Sequence, residues 1–180
     1  ISGATAAIER MEQALQAVEI DSTRLHISVA AHSQLVEPIL AEFGDFLRTI
    51  QFHAPQIPFV SNVSGQWITA SEACDPDYWV RHLRQTVRFA DGLETLLAKP
   101  DLLLLEVGPG QTLSTFARQH PARGGQQTVL ASMRHPRQQV DDSSFLYNSL
   151  GRLWLAGVQI DWAATVGNES RRRVSLPTYP

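Results

Sequence analysis

Histidine at a chain turn is the residue type that most readily combines a proton-accepting nitrogen with a neutral resting state at pH 7. In "SVAAHSQLVEPIL", Ser28 to Leu40, His32 stands where a β-branched, small-residue run gives way to a helix-start pattern. Its unperturbed pKa of about 6.5 suits a general base. Ala30 and Ala31 leave space beside the ring. On pattern alone, a catalytic base and a satisfied structural histidine both stay open. A base also needs a nucleophile within hydrogen-bond reach. Ser33 adjoins the histidine but is turned away by the chain, Cys74 precedes a helix, and no G-x-S-x-G elbow occurs.

The other histidines read as surface residues. His53, His120 and His135 sit in polar loop contexts, and His26 alternates away from Leu25 and Ile27. No histidine pair has the helical i, i+4 spacing of a zinc site and no cysteine cluster assists, so no metal is expected.

The surrounding elements read as alternating strands and helices. Ile8, Met11, Leu15 and Val18 form one helical stripe, and "TRLHISVA" alternates as a short half-buried strand. Ser33 is the expected N-cap of a helix whose buried side carries Val36, Ile39, Leu40, Phe43, Leu47 and Ile50. Pro38 is tolerable only in its first turn. A buried strand is expected at Ile57 to Ser61, then a turn at Ser64-Gly65. "DPDYWVRHLRQTV" reads as a helix capped by Asp75, and "RFADGLETLLAKP" as a second helix ending at Pro100. "DLLLLEVGPG" has the near-continuous apolar run of a strand buried on both faces. "QTLSTFARQH" is a helix, "GGQQTVLASM" a loop and strand, and "SSFLYNSLGRLWLAGV" a long helix. Strands separated by helices imply a parallel sheet with flanking helices, an α/β fold.

Composition narrows the function classes. With 180 residues, 43% hydrophobic and 18% charged, the chain can bury a real core. A net charge of -3 gives no reason to expect nucleic acid. The longest apolar run is far short of a membrane span, and the single cysteine suits a reducing, cytoplasmic setting. No Met opens the chain, which reads as a piece cut from something longer.

Five ordered segments carry a resemblance. "AAHSQLVEPILAEF", "IPFVSNVSGQWI", "DPDYWVRHLRQTVRFADGLETLL", "LLLEVGPGQTLSTFAR" and "LGRLWLAGVQIDWAA" follow the order and spacing of acyltransferase domains of type I modular polyketide synthases. "RRRVSLPTYP" looks like the linker that follows such a domain. The resemblance implies a hydrolase-like α/β subdomain with a small ferredoxin-like subdomain inserted in it. Residues 1–28 would be a remnant of the small subdomain, 29–165 the C-terminal half of the large one, and 166–180 the linker.

It also implies a mechanism. In the family a serine attacks the thioester of a malonyl-type acyl-CoA, and the acyl group passes to the phosphopantetheine thiol of an acyl carrier protein. His32 matches the catalytic histidine. Its ring would be oriented by a backbone carbonyl in the segment matching "RHLRQ", at His82. Asn62 would support the crevice, and Gly108 and Gly110 would serve backbone geometry. The tetrapeptide ending at the base tends to read HAFH for malonyl and YASH for methylmalonyl selection. Val29-Ala30-Ala31-His32 is neither and leaves both open, with malonyl the commoner extender. No cofactor is bound by the segment itself.

The family's serine elbow, oxyanion-hole segment and carboxylate-gripping arginine lie upstream of the matched region. The implied partners are therefore the N-terminal half of the domain, acyl-CoA, the carrier protein and, through the linker, a ketosynthase domain. No nucleic acid or membrane is expected. An alternative from another class is a structural fragment, inert by itself, whose linker docks on the ketosynthase.

Overall fold

The computed structural model describes residues 2–24, 29–125, 127–167, 174–175 and 177–178. They fall into two compact units, one of residues 1–102 with 120–125 and the other of 103–119 with 126–180. Most of the expected linker, the core of the "TRLHISVA" strand and the boundary at 28/29 lie outside the described residues.

The first unit is helical. Helix α1, Thr5–Ala17, forms where the apolar stripe predicts a helix, yet buries no residue. After the turn carrying His32, a 3-10 segment, Gln34–Ile39, leads into α2, Leu40–Arg48. Ser33 caps it as expected, its Oγ accepting from the Leu35 N–H at 3.2 Å. Pro38 lies inside the 3-10 segment rather than in a regular α-turn. That is consistent with the bond its missing N–H cannot make. Val36 and Leu47 are buried, but Ile39 and Ile50, expected on the same face, are exposed. Ile39 sits at the junction of the 3-10 segment with α2, and Ile50 lies past the end of α2.

Helix α3, Ala70–Ala73, opens with a capping box between Thr69 and Glu72. Helix α4, Pro76–Arg84, has Asp75 as N-cap, accepting from the Asp77 N–H at 2.9 Å, with proline in its first turn. Helix α5 spans Phe89–Leu97. α2 packs on α4, and a Cβ on Gly44 would meet Val80 Cγ2 at 3.3 Å, so the glycine permits the close approach.

The strand expected at Ile57 to Ser61 is reduced to one antiparallel bridge, Val60 to Trp67, with Ile57 80% exposed. Pro55 and Pro58 lack the N–H groups a ladder needs. What replaces the strand is a buried polar knot. Ser61, fully buried, bonds the Tyr78 hydroxyl at 2.8 Å and accepts from the N–H groups of Val63 and Ser64. Gly65 closes the turn at φ 70°, where a Cβ would meet that of Asp91 at 2.5 Å.

The second unit is α/β. Strand β1, Leu104–Glu106, pairs parallel with β2, Val129–Ala131, Leu104 opposite Val129 and Glu106 opposite Ala131. β2 is buried throughout, whereas Leu105 of β1 is 37% exposed, so the expected burial of β1 on both faces is corrected. Helix α6, Thr112–Gln119, crosses between the strands as a parallel pair requires. Helices α7, Asp142–Leu155, and α8, Trp162–Val166, follow. Ser149 of α7 donates to the Ala131 carbonyl of β2 at 2.8 Å.

Candidate active site

His32 is half-buried at the turn before the 3-10 segment, and its backbone adopts φ 59°. Few non-glycine residues hold this left-handed conformation, histidine more readily than most, and such residues gather at functional sites. The turn is tied locally: Ser33 Oγ donates to the Ala30 carbonyl at 2.7 Å. With its proton on Ala30 and its lone pair on Leu35, Ser33 is occupied as a structural cap.

The C-terminus of α4 holds His32 from the other side. The His32 N–H donates to the Leu83 carbonyl at 3.0 Å, and Nδ1 lies 2.8 Å from the Gln85 carbonyl. The last carbonyls of a helix have no intrahelical donor, so they are free to accept both. A carbonyl only accepts, so Nδ1 carries the proton, and in the neutral ring Nε2 keeps its lone pair. The orienting carbonyl thus belongs to Gln85, not to His82 as expected. Helix α4 ends at Arg84, which places the open carbonyl one residue past the helix.

His82 meets His32 through its side chain instead. The two rings stand edge to face, 5.8 Å apart at 80°. Burial, reinforced by the neighbouring His32, holds the His82 pKa below its ordinary value. The Asn62 amide reaches His82 Nε2 at 3.4 Å, while Asn62's own carbonyl accepts from the Arg88 N–H at 2.8 Å. His32, Asn62 and His82 therefore form one cluster. Val29, Ala30 and Ala31 lead into it, Val29 being 62% exposed. Sequence reasoning misses Gln85 and the packing role of the His82 ring. The signal for the first is the helix end after "RHLR", whose carbonyls need donors.

Among the described residues no group of histidine, cysteine and carboxylate side chains could hold a metal ion, and no helix is long and apolar enough to cross a membrane. Gly108 and Gly110 sit in the β1–α6 turn at φ 149° and 95°, as expected of positions serving the backbone.

The acyl transferase domain family model matches residues 1–159. A phenolphthiocerol/phthiocerol polyketide synthase protein of Mycobacterium tuberculosis is 36% identical over 180 residues, all of this chain and 12% of that protein. Among solved structures, the acyl transferase domain of SpnD in complex with 2-(pent-4-yn-1-yl)malonyl superposes with a TM-score of 0.80 at 41% identity. The match covers 86% of this chain and 38% of that one. A malonyl-transacylase in complex with its type II acyl-carrier protein superposes with a TM-score of 0.63 at 27% identity, covering 83% of this chain and 45% of that one. The chain belongs to the acyltransferase domains of type I modular polyketide synthases. It spans less than half the length of these relatives. The parallel α/β sheet with flanking helices is the fold it shares with them.

Proposed function

We infer that this chain supplies the general base of a transacylase that moves a malonyl-type group from CoA to the phosphopantetheine thiol of an acyl carrier protein. The observation that carries the reading is His32 itself, with Nδ1 held by the Gln85 carbonyl and Nε2 left as acceptor. The complex of the malonyl-transacylase with its carrier protein supports the partner. The SpnD complex supports a malonyl-derived acyl group.

In this reading the serine comes from the N-terminal half of the domain. Its oxygen attacks the thioester carbonyl while His32 Nε2 takes its proton. The CoA thiolate leaves and receives that proton, and an acyl-serine ester remains. The carrier's thiol then attacks the ester, passes its proton through the same nitrogen to the serine oxygen, and departs acylated. Val29, Ala30 and Ala31 line the approach to the acyl group. Ala31 leaves room for a methyl branch, and a methylene alters selection by only about 1–3 kcal/mol, so malonyl and methylmalonyl both fit. The resemblance divides the chain into a small-subdomain remnant (1–28), the C-terminal half of the catalytic subdomain (29–165) and a linker (166–180) that contacts a ketosynthase domain.

The test is acyl transfer to carrier protein by the complete domain. His32→Ala is expected to reduce it by about 10²–10⁴-fold, the usual contribution of a positioned base. Transfer at the parent rate in a folded His32→Ala domain would end this reading.

A further inference from the structure

Among the described residues the His32 ring is hydrogen-bonded through Nδ1, to the Gln85 carbonyl, and any rotation of the ring about its Cβ–Cγ bond must break that hydrogen bond. The ring also has an aromatic neighbour, His82. That ring presents itself edge to face at 5.8 Å, and it is in turn held from three directions. Trp79 flanks it at 5.8 Å and Tyr78 at 6.3 Å, while the Asn62 amide reaches its Nε2 at 3.4 Å. The outer rings are anchored too. The Tyr78 hydroxyl bonds the fully buried Ser61, the Trp79 indole N–H donates to the Ala73 carbonyl at 3.0 Å, and Phe52 stacks on Trp79 at 6.3 Å. A row of aromatic rings thus runs from the Tyr78–Ser61 hydrogen bond to His32.

We propose that the His82 side chain is a positioning residue for His32, clamping its ring so that Nδ1 stays on the Gln85 carbonyl and Nε2 faces the reacting groups. The proposal rests on the reading of His32 as the base. A neutral His82 suits the task, since a second cation would repel the imidazolium that forms when His32 takes a proton. Burial and His32 both push His82 toward that neutral state. Asn62 acts one step further out. Its amide donates to His82 Nε2, which requires that nitrogen to be unprotonated, and so sets which edge of His82 meets its neighbour.

The readout is the ring-nitrogen signature of His32 in the 180-residue chain, recorded by nitrogen-15 NMR near pH 8 and assigned by loss of the signals in His32→Gln. The parent is expected to show two well-separated nitrogen resonances, Nδ1 protonated and Nε2 bare. In His82→Ala they are expected to converge toward the tautomer average, with a dispersed amide spectrum showing that the fold is kept. Asn62→Ala, which truncates an exposed side chain, is expected to give a smaller convergence in the same direction. A folded His82→Ala chain whose His32 nitrogens do not move would overturn the proposal. Should His82→Ala fail to fold, Asn62→Ala decides alone: convergence supports the clamp, and unchanged His32 nitrogens refute it. Because the readout is a ring nitrogen and not turnover, this experiment and the transfer assay fail independently.

Discussion

At the scale of single residues, the proposed chemistry turns on how one imidazole is oriented and reached. His32 gains its tautomer from the Gln85 carbonyl, in the position that a carboxylate fills in a Ser-His-Asp triad. His82, 5.8 Å away, has its pKa lowered first by burial and then by His32. A proton titration of the histidine ring signals should therefore give His82 a midpoint below the ordinary value of about 6.5. A midpoint at or above it would contradict the packing described. The linkage sign follows. A histidine whose folded pKa is depressed favours the folded state above its unfolded pKa, and that contribution is lost as pH falls through the folded value. His32 is legible as a candidate because its type, its small neighbours and the Ser33 cap all stand in "VAAHS". Gln85 is legible only as the end of a helix, because a backbone carbonyl acts without regard to the side chain that carries it.

At the scale of elements, α4 and the turn at Gly65 position the cluster. Asp75 caps the N-terminus of α4, while His32 uses the opposite end. Asp75→Ala should cost about 0.5–2 kcal/mol in a denaturant titration. It should leave the His32 nitrogen signals in place, since fraying at one end does not open the carbonyls at the other. Gly65→Ala should cost more than about 1 kcal/mol. Alanine is strained at φ 70°, and its Cβ would fall 2.5 Å from that of Asp91. Unchanged stability in this variant would mean the turn is built differently.

The helices are readable in the sequence because capping residues and apolar spacing are local signals. Asp75-Pro76 and Ser33 mark their starts to the residue. The segment Ile57 to Ser61 reads as a strand and is not one, because its apolar run says nothing about whether a partner lies alongside. The exposure of Ile39 and Ile50 is hidden for a similar reason: helical spacing does not show that the helix changes type after Ile39 or that it ends at Arg48.

At the scale of the whole molecule, acid sensitivity should have a second source beside the histidines. Glu106 at the end of β1 accepts from the N–H groups of Leu113 and Ser114 and from the Ser114 hydroxyl at the start of α6. Burial by itself would raise this carboxyl. The Ser114 hydroxyl, those two N–H groups and Arg118 outweigh it, and the pKa lies below the ordinary value. Its contribution is present above the unfolded carboxylate pKa and lost as pH falls through the lower folded one. Glu106→Gln should thus flatten the decline of stability below about pH 4.5, seen in melts across that range. An unchanged acid limb would show that Glu106 is not responsible.

The family is legible from five short segments in order, whereas the proposed chemistry would be divided between this chain and a serine-bearing segment, as the resemblance implies. The sharpest test of that division is an intact-mass spectrum after incubation with malonyl-CoA, of the 20.0 kDa chain by itself and together with the serine-bearing segment. The expected result is no acyl adduct on this chain in either sample and an adduct on the serine-bearing segment in the mixture. A stable malonyl adduct on this chain would contradict that division, and would mean that its own residues hold the nucleophile.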